Sequence, residues 1–289
     1  MKKIFIYLII LFLISGGFFI FLKESKYLVV PQAEKEPLKA EVSNISTPKQ
    51  EQETSTQPES VLPDKFKLDV PFTSQEPRVF IAGSDKTKWW DDDHNNACEE
   101  AAIITVDSYI KGKKLTPEIA NKEILAMLDF QEKNKNYGER NKDLEAKEVA
   151  QLAKDFYKDY KNSKIIYDIS IEDIKKEIFK GNPVILPTAG RLLSGPLSLG
   201  MNPYYTCEPK CVAGDGGEGD GPLYHMLVAI GWDEETKEII TNDPGKRHGG
   251  GTILKPGFRF KYDVLLNALH EWNGGDVEHG RSVMIILSR

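Results

Sequence analysis

Hydrophobic and polar positions change their pattern twice along the 289 residues. Ile4 to Leu22, "IFIYLIILFLISGGFFIFL", carries no charge and is about long enough to cross the hydrocarbon core of a membrane as a helix. From Lys23 to Asp64 apolar positions thin out and Glu, Lys, Ser, Thr, Gln and Pro take over, a composition that cannot bury enough apolar area to offset its chain entropy. Beyond that the pattern is that of a folded domain. The expected organisation is a transmembrane signal-anchor over residues 1–22, a disordered linker over 23–64 and one domain over 65–289.

Within the domain the period of the apolar positions assigns the elements. "KFKLDVPFTSQEP" alternates as a short strand with Phe66, Leu68 and Val70 on one side. A helix is expected from Asn96, with Asn96 as its cap, Glu99 completing a capping box and Cys98 in the first turn. Ala101, Ala102, Ile103, Ile104, Val106, Tyr109 and Ile110 make it apolar around most of its circumference, the pattern of a central buried helix ended by Gly112. A second helix starts at the Thr116 cap with Pro117 in its first turn, and a third runs from about Leu144 to Tyr160.

Then the period shortens. "KIIYDI" and "PVILPT" read as strands around a short helix from Ser170 to Lys180 that Gly181 stops, and "HMLVAIGW", "EIITND" and "RSVMIIL" follow as strands, interrupted by a helix from Tyr262 to Trp272. Helices first and an antiparallel sheet afterwards make an α+β domain, with the helical part packed on the sheet.

The formal charge of −6, with no basic stripe, argues against a nucleic-acid partner and for a peptide or envelope partner. Lys2 and Lys3 place positive charge before the apolar run, while Lys23, Glu24 and Lys26 nearly offset one another after it. That asymmetry keeps the start cytoplasmic and puts the domain outside, on a single-pass anchor expected to stay uncleaved. Outside the cytoplasm thiols tend to oxidise, so Cys207 and Cys211 are read as a disulfide, two free thiols, or zinc ligands with a histidine such as His248. "GDGGEGDG" at 214–221 lacks the spacing of a calcium loop and reads as a mobile loop, and "WWDDD" reads as rim packing more than sugar stacking.

Cys98 is then left as the odd thiol. At a helix start it meets unsatisfied backbone N–H groups, which favour thiolate over thiol. A nucleophilic cysteine also needs a base, a group to orient that base, and donors for an oxyanion. His225 stands at the mouth of a buried strand. Asp243 ends the next strand, so pairing can bring both to one sheet edge. Gln75, just before the loop to Cys98, has an amide that can act with the Cys98 backbone N–H on an oxyanion.

"VPFTSQ", "NNACEEAA", "GNPVILPT", "YHMLVAIGWD" and "TNDPG", in that order, resemble the peptidase C39-like family of papain-like cysteine peptidases over about Lys65 to Arg289. The resemblance implies a papain-like fold, with Cys98 as nucleophile, His225 as general base, Asp243 as its orienting residue and Gln75 as oxyanion donor. It calls for a peptide or protein substrate and for no cofactor or metal. Glu99 and Glu100 stand where many relatives have glycine and proline, which bears on substrate preference. The stretch from Ala189 to Gly221 is longer and richer in glycine than the family core requires and reads as a lid or substrate loop. No GxxxxGK[ST] motif occurs, so leader processing coupled to an export ATPase is not implied. Two alternatives remain open: a cell-wall peptide hydrolase or acyltransferase on the same residues, and a catalytically silent peptide-binding module.

Overall fold

The computed structural model describes residues 61–81, 83, 94, 96–137, 139–140, 142–193, 224–245, 256–275 and 277–289. The apolar run Ile4–Leu22, the linker up to residue 60, "WWDDD", Cys207, Cys211, His248 and most of the glycine-rich stretch lie outside them. Among the described residues no helix is long and apolar enough to cross a membrane.

Seven antiparallel strands of the described residues form one sheet: β1 (Lys65–Lys67), β2 (Lys164–Tyr167), β3 (Val184–Ala189), β4 (Tyr224–Asp233), β5 (Glu238–Asn242), β6 (Phe258–Lys261) and β7 (Val283–Ile286). Their order is β2-β7-β3-β4-β5-β6, and β1 also pairs with β4. Among the described residues five α-helices accompany them: α1 (Cys98–Lys111), α2 (Pro117–Lys133), α3 (Ala146–Tyr157), α4 (Ile171–Phe179) and α5 (Tyr262–Ala268). The expected α+β class is what the chain adopts.

The centre of the sheet is β4, all ten residues of which are buried. A strand covered on both faces shows no polar alternation, hence the continuous "HMLVAIG" run. One edge of β4 is held by β3 over Tyr224–Ala229 and then by β1 over Gly231–Asp233, while β5 runs along the other. Gly231 sits where β1 closes in: a β-carbon there would fall 2.4 Å from the Phe66 carbonyl oxygen. Phe66 stacks on Trp232 at 5.2 Å, and Trp232 donates its indole N–H to the Pro63 carbonyl at 2.9 Å.

Helix α1 packs on β4 with every residue from Cys98 to Ser108 buried. Side chains such as Ile103, Ile104 and Val106 each contribute roughly 2 kcal/mol by leaving water. Gly112 closes the helix in the left-handed conformation at φ 61°, as its position after the apolar run implies. The Thr116 cap of α2 and the Ser170 cap of α4 also form as expected.

The start of α1 departs from the sequence reading. Its cap is Ala97, which makes no side-chain cap bond, and the Glu99 carboxyl is drawn into tertiary contacts instead of a capping box. Helix α3 is shorter than expected and starts on its own capping box, Glu145 with Glu148. Helix α5 ends at Ala268 because Leu269 bridges to Thr188 of β3. The edge strand β6 was not expected: "FRFK" is four residues long and buries only Phe260.

Candidate active site

Cys98 is the first residue of α1 and is 4% exposed. Its thiol donates to Glu99 Oε2 at 2.9 Å. The expectation of a thiolate favoured by the helix start does not hold in this arrangement. Burial pushes the thiol well above its ordinary range, and the carboxyls of Glu99, Asp143 and Glu100 add to the rise. Desolvation and like charge outweigh the partial charge of the helix end.

The strand register brings His225 and Asp243 together. In the β4–β5 ladder the last pair is Val228 with Asn242; continued by one step, that register would set Asp243 against Leu227 and so diagonal to His225 on the same sheet face. The ring Nε2 lies 2.7 Å from Asp243 Oδ1, with the histidine 2% and the aspartate 0% exposed. A carboxylate only accepts, so Nε2 carries the hydrogen of this bond. The main chain of His225 is fixed as well, its carbonyl accepting from Thr188 Oγ1 at 2.9 Å.

Gly245, in the loop after β5, completes this pair. Its N–H donates to Asp243 Oδ1 at 2.8 Å. A β-carbon at 245 would fall 2.7 Å from His225 Cε1 and 2.8 Å from Nε2, so the imidazole occupies space that any side chain there would fill.

Gln75 is tied to the same loop. Its backbone N–H donates to the Pro244 carbonyl at 2.9 Å, and Ser74 Oγ donates to that oxygen at 3.3 Å. The Gln75 amide donates to the carbonyl of His94 at 3.2 Å. His94, which the sequence pattern did not single out, is 1% exposed; its Nε2 meets Asn121 Oδ1 at 3.0 Å and its Nδ1 lies 3.8 Å from Glu76 Oε2. Glu76 in turn takes both Arg78 N–H groups, at 2.8 and 2.9 Å. The pattern of "SQEPR" gave no sign of this buried network.

Sequence reading named Glu99 and Glu100 but not their burial, and it missed Asp143. Glu99 and Glu100 are each 1% exposed. Glu99 Oε1 accepts from the Leu144 N–H at 3.1 Å, and burial, with Glu100 and Asp143 nearby, pushes its carboxyl well above the usual range. Burial raises Glu100 to about 7 and Asp143 to about 6. Glu100 Oε1 accepts from the Gln131 amide, whereas Glu100 Oε2 and Gln131 Oε1 are buried without a partner. A proton on Glu100 Oε2, which the raised pKa of this carboxyl favours, turns that oxygen into a donor.

Cys98 and His225 thus sit on elements packed together, α1 and β4. Tyr224, one residue before His225, has its phenol raised by burial and then by the charges of Glu99 and Cys98. The structure pairs His225 with Asp243 and fastens Gln75 to their loop, while the hydrogen bond of Cys98 among the described residues runs to Glu99. Among those residues no group of three His, Cys, Asp or Glu side chains could hold a metal ion.

The model of the Peptidase_C39 like family matches residues 67–263, more than half of the chain, and spans all four of these residues. The chain belongs to that family. A solved structure described as a C39-like peptidase from Bacillus anthracis is similar to it at 16% identity and a TM-score of 0.45, covering 78% of this chain and 99% of that one. No curated protein matches the chain. Peptidase activity is the family-level expectation for this C39-like chain.

Proposed function

We propose that the protein is a cysteine peptidase that cuts peptide bonds through an acyl-enzyme, with Cys98 as nucleophile, His225 as general base, Asp243 as the residue that orients it and Gln75 as oxyanion donor. The observation that carries this reading is the buried His225–Asp243 pair, whose Nε2–H is committed to the carboxylate at 2.7 Å and whose Nδ1 is thereby the basic nitrogen. Nδ1 takes the thiol proton as the sulfur attacks the scissile carbonyl, then returns it to the leaving amine. The oxyanion is met by the Cys98 backbone N–H and by the Gln75 amide, a type of donor worth roughly 3 kcal/mol in the transition state. In this reading the sheet and central helix act as a papain-like scaffold. The domain works outside the cytoplasm on a tether, a placement supported by the charge asymmetry around the apolar run Ile4–Leu22.

The test is a comparison of the native chain with Cys98→Ala and His225→Ala on a mixed fluorogenic peptide library, with iodoacetamide labelling in parallel. Cys98→Ala is expected to lose hydrolysis and labelling at position 98 while keeping its near-ultraviolet circular dichroism. Retained hydrolysis in either variant rules the mechanism out.

A further inference from the structure

Glu99 is the part of the site that this chemistry leaves unused. Both of its oxygens are committed: Oε1 to the backbone N–H of Leu144 at 3.1 Å and Oε2 to the Cys98 thiol at 2.9 Å. A carboxyl that is 1% exposed and reaches across to another segment is not a solvated helix-start acid.

Sulfur and carboxyl cannot both ionise at that separation. Two like charges in a water-excluded pocket repel by several kcal/mol, so the pair keeps at least one proton. The neighbours do not relieve this. Glu100 on α1 and Asp143 ahead of α3 are further acids, Gln131 of α2 is neutral, and Tyr224 of β4 presents a phenol. Arg140 is the cation of the group, and its field acts on Glu100. His225, the residue after Tyr224 on β4, is the base to which the peptidase reading assigns the proton.

We propose that Glu99 is a positioning residue that holds the Cys98 sulfur in a protonated resting orientation, and that exchange of this hydrogen bond for one to His225 is the step that arms the nucleophile. The inference rests on Cys98 being the nucleophile of the peptidase reading. The exchange is balanced within the protein. Rotation about the Cα–Cβ bond of Cys98 breaks the S–H···Oε2 contact, the S–H bond then breaks and an Nδ1–H bond forms. The sulfur ionises only once the rotation has carried it away from the Glu99 carboxyl; thiolate and imidazolium result, Asp243 still accepts from His225 Nε2–H, and Glu99 neither gains nor loses a proton.

The test uses the full chain with Cys207 and Cys211 replaced by serine, and follows the rate of Cys98 alkylation by iodoacetamide from acid to alkaline pH. Glu99→Gln keeps an acceptor for the Leu144 N–H and removes the negative charge beside sulfur. The midpoint of alkylation is expected to fall by at least about one pH unit, so that the rate at neutral pH rises about tenfold or more. An unmoved midpoint overturns the inference. Should Glu99→Gln fail to fold, the infrared S–H band decides on the unsubstituted residue: a hydrogen-bonded band at neutral pH that disappears in Cys98→Ser supports the proposal, and absence of that band overturns it. Hydrolysis measured on the same samples keeps the two readings apart. Alkylation that shifts in a protein cleaving no peptide defeats the peptidase reading and supports the resting bond, whereas cleavage with unshifted alkylation does the reverse.

Discussion

Replacing Gly245 by alanine asks whether the His225–Asp243 pair is the working part of the molecule. The added carbon would sit 2.7 Å from His225 Cε1, 2.8 Å from Nε2 and 3.0 Å from Asp243 Oδ1. Non-bonded carbons rest at about 3.5–4.0 Å, so the ring must recede by roughly 1 Å. The backbone at 245 lies outside the left-handed region, and alanine therefore adds bulk without conformational strain. A misplacement of about 1 Å in a reacting group can lower the rate about 100-fold, close to 3 kcal/mol in the barrier. The overpacking itself costs about 1–3 kcal/mol of stability, within the roughly 5–15 kcal/mol of an ordinary domain. The variant should stay folded.

The assay is kcat/KM on the fluorogenic library, with thermal unfolding on the same samples. Gly231→Ala is the control, because its β-carbon would strike the Phe66 carbonyl at 2.4 Å near the other end of β4. It is expected to lower Tm while leaving kcat/KM of the folded protein within about twofold. A Gly245→Ala protein with native kcat/KM refutes the argument, and so does a Gly231→Ala protein that loses as much activity.

Two further outcomes follow from the buried acids and the histidine pair. Burial raises Glu100 from its ordinary 4.5 to about 7, so the folded state holds its proton more tightly than the unfolded chain. The stability this contributes, on the order of 3 kcal/mol, is complete below pH ~4.5 and is lost as the pH rises through about 7. Glu100→Gln has no proton to lose, while Asp143 still titrates near 6, so its Tm should fall by on the order of 10 °C less than that of the native protein as the pH rises through that range; parallel melting curves check this. Asp243→Asn keeps the Oδ1 that accepts from His225 and Gly245 and is expected to keep most activity, while Asp243→Ala loses about 100-fold or more. Equal loss in the two variants would mean that charge, not orientation, is what Asp243 supplies.

Long periodic segments were legible from the sequence because a single residue pattern decides them. The all-apolar face of α1, its Gly112 stop, and the Thr116 and Ser170 caps needed no tertiary information. So was the meeting of His225 with Asp243, because adjacent antiparallel strands fix which residues share a face. The start of α1 was not legible. "NNACEE" satisfies the local rules for a capping box, but Leu144, Gln131 and the thiol compete for the two glutamates, and each partner comes from a contact that the local pattern does not encode. The protonation of Cys98 was misjudged for the same reason: a helix end is visible in sequence, and the buried acids around it are not. The His94–Asn121 contact joins a loop to a helix twenty-seven residues on and left no periodic trace.

The way β1 is stitched to β4 bears on how the molecule carries load. Lys65 pairs with Asp233, which lies roughly 25 Å along β4 from His225 at about 3.3 Å per residue. Tension arriving through the chain ahead of residue 65 is met first by that pairing, by the Asp64 carbonyl that accepts from the Glu234 N–H at 2.8 Å, and by the Pro63 carbonyl on Trp232. The opposite end of β4 is clasped separately by β3. A tug at the N-terminal side can therefore fray three residues of the sheet without disturbing the alignment of imidazole and carboxylate.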